Sequence, residues 1–111
     1  MKFRALIFAL ALCASLPAAA IFEVVSKAHE VPLSDLRLPG STSGTLTFKS
    51  CKDCDYETVR VTASTQYEAN RQSLTLDEFR NALAQITNRQ VTVTVLHHLE
   101  SDTIKAVRVK F

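Results

Sequence analysis

Few side chains in this 111-residue sequence are of a type and spacing suited to chemistry. Cys51 and Cys54 form a Cys-x-x-Cys pair around Lys52-Asp53, with Asp53, Asp55 and Glu57 gathered at the same place, and His97 and His98 stand side by side further along. The pair has three readings. As a structural disulfide it is well placed, because the ends of a four-residue turn lie within about 7 Å, which overlaps the Cα separation a disulfide accepts. Closing so short a loop stabilises by roughly 2 kcal/mol at most. Its use is to fix a turn that Lys-Asp does not favour unaided, since two-residue hairpin turns prefer Asn-Gly or a glycine. As a dithiol oxidoreductase the pair lacks the helix N-terminus that lowers a thiolate pKa. Asp55, Tyr56 and Glu57 follow it instead, and nearby carboxylates raise a thiol's pKa. As a metal site it needs the histidines, yet His97 and His98 point to opposite faces of a regular strand. No second Cys-x-x-Cys and no His-x-x-x-His completes a tetrahedral set, although a reduced thiolate pair can capture copper or zinc. The oxidising-compartment rule favours the structural disulfide. The alternative is a periplasmic redox or metal-handling protein using Cys51 and Cys54.

Other chemistry is thin. The acidic cluster has no glycine-containing loop with a closing carboxylate behind it, so it reads as a solvated rim and not as a calcium site. No serine is set between nucleophile-elbow glycines. The two glycines, Gly40 and Gly44, make no phosphate-cradling loop. The expectation is a non-enzymatic protein with no catalytic residues, no metal and no cofactor.

The first twenty residues have the parts of a secretory signal: basic Lys2 and Arg4, an apolar run from Ala5 to Leu16, then Pro17 and the small residues Ala18-Ala19-Ala20. That run is too short for a bilayer, which takes about 20 apolar residues. The expected organisation is a signal peptide over 1–20, an N-terminal strand and a Pro/Gly-containing linker over 21–44, and a domain core over 45–111. Lipidation at Cys13 competes with cleavage after Ala20, but Leu12 is not the small residue that bacterial lipoprotein signals place before their cysteine. The formal charge of +2 is carried by Lys2 and Arg4, so the chain after cleavage is formally neutral. A neutral chain without a dense basic run has little long-range pull on phosphate backbones. The expected address is periplasmic or secreted, with no transmembrane segment after cleavage, no nucleic acid, and a protein, peptide or envelope ligand as partner.

The elements that position these residues are mostly strands. Thr45 to Ser50 puts Leu46 and Phe48 on one face, and the run after the cysteines puts Val59, Val61, Ala63, Thr65 and Tyr67 on one side against Thr58, Arg60, Thr62 and Ser64 on the other. A period of two with β-branched enrichment predicts half-buried strands. A turn centred on Lys52-Asp53 sets Leu46 opposite Val59. Thr75-Leu76-Asp77-Glu78 matches a capping box, and Leu76, Phe79, Leu83 and Ile86 recur at helical steps, so a helix is predicted over about Leu76 to Thr87. Gln90 to Leu99 alternates again, with Val93, Val95 and His97 on one face. In Thr103 to Phe111 the phase slips, and a bulge near Lys105-Ala106 is predicted to bring Ile104, Val107, Val109 and Phe111 to the core side. Ile21 to Val25 is apolar enough for a short strand. Ser26 to Gly44, with Pro32, Pro39 and both glycines, reads as a connection in which Ser34 to Leu38 makes a helical turn or an extended edge.

The fold class is therefore mainly β with one α-helix, in the order β-β-β-α-β-β. That is the order of a small five-stranded OB-like barrel, and the chain resembles, in architecture, small exported bacterial proteins of this kind in which Val-rich strands follow a short capped helix, as Gln90 to Phe111 follow Thr75 to Thr87. The resemblance implies a binding face on the third strand, with Arg60, Thr62 and Ser64 pointing outward and Tyr67 at its end; it lends no catalytic residue.

Overall fold

A computed structural model describes residues 26–111. The expected signal peptide, Cys13 and the expected strand Ile21 to Val25 lie outside the described residues. Strands account for most of the regular structure, and one α-helix is present among the described residues.

The expected linker is the first departure. Ser26–Pro32 is a strand, β1, paired antiparallel along its whole length with β7 (Thr92–His98), from Ser26 opposite His98 to Pro32 opposite Thr92. His29 and Val31 alternate inward. Pro32 closes an edge strand, where its missing N–H costs little. Leu33–Asp35 then makes one turn of 3-10 helix, held by the Leu33 N–H on Val91 O (2.8 Å) and the Ser34 N–H on Arg89 O (3.0 Å). A two-residue strand, β2 (Leu36–Arg37), follows. The segment thus contains both the helical turn and the extended edge.

β3 (Thr45–Lys49) and β4 (Tyr56–Arg60) form the expected antiparallel hairpin, with Leu46 opposite Val59. The expected continuous strand to Tyr67 is broken, however. The buried Thr65 hydroxyl accepts from the Thr62 N–H (3.0 Å) and donates to Ile104 O (2.6 Å), and the Thr65 N–H bonds Thr62 O (3.0 Å). These bonds give the backbone a turn in place of a ladder, and Ala63 faces solvent as a result. The chain resumes as β5 (Gln66–Ala69), which folds back through Asn70-Arg71 into β6 (Gln72–Leu74). Both turn residues have positive φ, 50° and 71°, as a two-residue hairpin loop of the I′ kind requires. Asn70 is fixed there by its N–H on Val109 O (2.9 Å) and by its side-chain oxygen, which accepts from the Phe111 N–H (2.8 Å).

The helix, α1, spans Leu76–Ala84 and begins with the expected capping box: Thr75 Oγ1 accepts from the Glu78 N–H, and Glu78 Oε1 from the Thr75 N–H. It ends three residues before Thr87, with Gln85 as its C-cap. Phe79, Leu83 and Ile86 nonetheless all reach the core. β7 and β8 (Thr103–Val109) pair antiparallel with Leu96 opposite Ala106 and His97 opposite Ile104, so Lys105 is the extra residue. That is the expected bulge, and it turns Ile104, Val107 and Val109 inward. Phe111 does not join them. It lies beyond the end of β8 and is 56 % exposed.

The sheet runs β1-β7-β8-β4-β3-β2, with β5 on β8 and β6 on β5. It is an open mixed sheet, not the expected five-stranded closed barrel. β8 is its hub: it pairs antiparallel with β7 and, on its other side, parallel with β4 (Arg60 opposite Thr103) and then β5. The N-terminal segment adds β1 and β2 as the two ends of the path, and among the described residues these ends do not pair with each other. The sheet curls around one core of Leu46, Phe48, Val93, Val95, Ile104 and Val107, and Phe79 of α1 packs into it.

Thr65 is the joint between β4 and β5, and its replacement measures what that joint is worth. Thr65→Val keeps the volume but removes the partner of the part-buried Thr62 N–H and the hydroxyl that donates to the buried Ile104 O. We expect a loss of about 1–3 kcal/mol in urea unfolding. A loss within about 0.5 kcal/mol, as for an ordinary surface change, would contradict this role.

Candidate functional site

The hairpin β3–β4 carries the chemistry-bearing stretch. Six residues, Ser50 to Asp55, connect the two strands, and the Cys54 N–H bonds Cys51 O (3.2 Å) across them. The Cα atoms of Cys51 and Cys54 are 5.1 Å apart and their side chains form a disulfide. A strand follows it, and among the described residues no helix begins at either cysteine. The turn is therefore covalently closed. Beside it lies a cleft of about 560 Å³ whose walls include Cys51, Lys49 and Lys52 from the hairpin and Glu30, Ser34 and Asp35 from the N-terminal segment.

The expected binding residues divide between three places. Arg60 is exposed at the end of β4. Thr62 and Ser64 sit in the turn after it, their hydroxyls 2.9 Å apart, and border a shallow cleft of about 350 Å³ with His98, Thr103 and Lys105. Tyr67 is not a surface residue. It is 5 % exposed, its ring lies 5.4 Å from that of Phe79, and its buried hydroxyl has no hydrogen-bond partner among the described residues. Burial raises its pKa, with Arg80 acting in the opposite direction.

The outward side of the hairpin was only partly identified from the sequence. Tyr56, 42 % exposed, lies opposite Lys49. Both the Lys49 ammonium and the Arg37 guanidinium of β2 stand 5.0 Å from its ring centroid. The signal was present in Thr45, Thr47 and Lys49, which alternate outward. Tyr56 was hidden by Asp55 and Glu57, which flank it and mark the place as an acidic rim.

The histidines are separate. His97 bonds Asp102 (2.7 Å) and His98 bonds Ser101 (2.9 Å), both close to the β7–β8 turn. His29, which the linker reading left unassigned, is buried, and its ring lies 5.1 Å from Phe48 and 6.3 Å from His97. Its Nε2 is without a partner among the described residues. Burial lowers its pKa, Glu57 raises it, and Lys27 and His97 lower it further. Among the described residues no group of three or more His, Cys, Asp or Glu is arranged to hold a metal ion. Likewise no helix there is long and apolar enough to cross a membrane. Compared with known proteins, the chain matches no family model, no curated protein and no solved structure.

The neutral state of His29 has a consequence for acid stability. Below its ordinary pKa of about 6.5 the unfolded chain takes up a proton that the folded chain refuses, so stability falls as pH drops through that value until the lowered folded pKa is reached. His29→Leu, of similar volume, removes this component. Urea midpoints measured from about pH 7.5 to 5 should decline less steeply for the variant than for the wild type. Equal slopes would show that His29 is not held neutral.

Proposed function

We propose that this chain is a non-enzymatic binding or structural module exported to the cell envelope, with its contact surface on the outer side of the β3–β4 hairpin. The observation that carries the reading is a hairpin whose turn is closed by Cys51–Cys54 while Tyr56 and Arg60 on its outer side stay exposed. A disulfide fixes the loop in advance, and ordering a surface beforehand reduces what binding must later offset. Export is supported by the leader-like composition of the first twenty residues and by the disulfide, which persists in oxidising compartments. The resemblance to small exported proteins of OB-like architecture belongs to the same reading: the chain keeps a capped helix followed by the Val-rich pair β7 and β8. The partner is a protein, a peptide or an envelope ligand.

The test is an intact-mass measurement, before and after alkylation without reductant, on chain isolated from the envelope, together with a screen for turnover of common envelope substrates. The reading expects an N-terminus near Ile21, a mass lower by two hydrogens than the dithiol form, no alkylation and no turnover. Free thiols at Cys51 and Cys54, revealed by alkylation, together with electron cycling by the unalkylated chain, or a turnover abolished by one point change, would replace the reading with the redox alternative or with an enzyme.

A further inference from the structure

The outward face of β2–β3–β4 has one sign of charge. Arg37 stands opposite Thr47, which stands opposite Thr58; Lys49 stands opposite Tyr56; and Thr45 stands opposite Arg60. Because side chains alternate along a strand, and Leu36, Leu46, Phe48 and Val59 are buried, all of these residues share the outer face. None is a carboxylate. Among the described residues Arg37, Lys49 and Arg60 take part in no salt bridge. Two of the three cations are held over the same ring, that of Tyr56, so like charges are kept together without a salt-bridged carboxylate among the described residues, although Lys49 also borders the cleft that holds Glu30 and Asp35. The nearest acids in sequence are Asp35, in the 3-10 turn before β2, and Glu57, which takes the alternate position on β4 opposite Phe48; Asp53 and Asp55 belong to the disulfide loop.

From this geometry we infer that the face binds an acidic polysaccharide, laid along the hairpin with its anionic groups on Lys49, Arg37 and Arg60. The inference rests on the binding-module reading and names its ligand class. Tyr56 and Arg60 are four residues apart on one strand, so the cations span about 13 Å at roughly 3.3 Å per residue, a length that suits a chain carrying repeated charges. The rest of the face consists of the hydroxyls of Thr45, Thr47 and Thr58, which both donate to and accept from sugar hydroxyls. Thr47 and Thr58 already bond each other at 3.1 Å, which sets their orientation. A single-stranded nucleic acid needs free aromatic faces for its bases, and the one ring here is taken up by two cations. A membrane surface needs apolar side chains to insert, and the other large exposed apolar residues, Leu99 and Phe111, lie outside these three strands.

The experiment uses the purified full chain with heparin as a sulfated probe and polygalacturonate as a carboxylated one. Affinity is measured from low to physiological salt. We expect binding by at least one glycan that weakens as salt rises, a loss of roughly 2- to 5-fold for each of Arg37→Gln, Lys49→Gln and Arg60→Gln, in line with solvent-exposed charge pairs, and no measurable binding by the triple variant. A control double variant, Lys105→Gln with Lys110→Gln, removes charge from elsewhere and should bind as the wild type does. Unchanged thermal midpoints establish that the variants are folded. The inference is overturned if the triple variant binds normally, if the control loses as much as the triple, or if oligothymidylate or phosphatidylglycerol vesicles bind more tightly through the same three residues. Absence of glycan binding also overturns it, yet leaves the binding-module reading standing, because that reading is decided by thiol state and turnover.

Discussion

The register of the β3–β4 hairpin is the constraint on which the rest depends. With Leu46 opposite Val59, Leu46 and Phe48 of one strand and Val59 of the other enter the core. The same register puts Lys49, Tyr56, Thr58 and Arg60 outside. A slip by one residue would exchange the two sets, turning Lys49 and Arg60 toward the core and exposing Phe48, one of the largest of its side chains. The hydrophobic face holds this register along the strands. The disulfide's entropic contribution is modest, roughly 2 kcal/mol or less for so short a loop, so the hydrophobic face carries most of the preference for this pairing and the disulfide closes the turn that joins the strands.

β8 does for the whole sheet what the hairpin does locally. It must pair with β7 on one side and with β4 and β5 on the other while presenting Ile104, Val107 and Val109 to one core. Regular alternation cannot satisfy all three inward positions, and the extra residue Lys105 resolves the conflict. Thr65, bonded to Ile104 O on the other side of the same strand, adjusts the β4–β5 segment where it crosses from one part of β8 to the next. The open sheet therefore has two local irregularities, facing each other across its central strand.

Those features were legible in the sequence to different degrees, for physical reasons. The hairpin register, the capped helix and the bulge each left a local signature: alternation on both sides of a Cys-x-x-Cys, a Thr75/Glu78 box before an apolar stripe, and a phase slip between Ile104 and Val107. β1 was masked by prolines and glycines that in fact lie at its end or beyond it, and with it His29 was missed. The β5–β6 hairpin was illegible because Asn70-Arg71 is not a usual pair for a turn with two positive φ angles; tertiary bonds from Asn70 to Val109 and Phe111 hold it. The barrel expectation failed because it allowed one strand where the Thr62 to Thr65 turn makes two, and because it read Ser26 to Gly44 as a connection with at most an extended edge at Ser34 to Leu38, where β1 and β2 supply both ends of the sheet. Of the expected contact residues, Arg60 lies on the cationic face, Thr62 and Ser64 lie beside it in a separate shallow cleft, and Tyr67 is in the core. The alternation already placed Tyr67 with Val59 and Val61, on the buried side.

The central claim is that the outer side of the disulfide-closed hairpin, and no other surface, meets the partner. Side-chain NMR signals followed during titration of the labelled chain with an acidic glycan address it directly. The account predicts that the Nε–H signals of Arg37 and Arg60, the Lys49 side chain and the Tyr56 ring shift together and saturate at one concentration, while the methyl groups of Leu46 and Val59 on the opposite face stay in place. Shifts centred instead on Thr62, Ser64, His98 and Lys105, or on Glu30, Asp35 and Lys52 without Arg37, Arg60 and the Tyr56 ring, would contradict it.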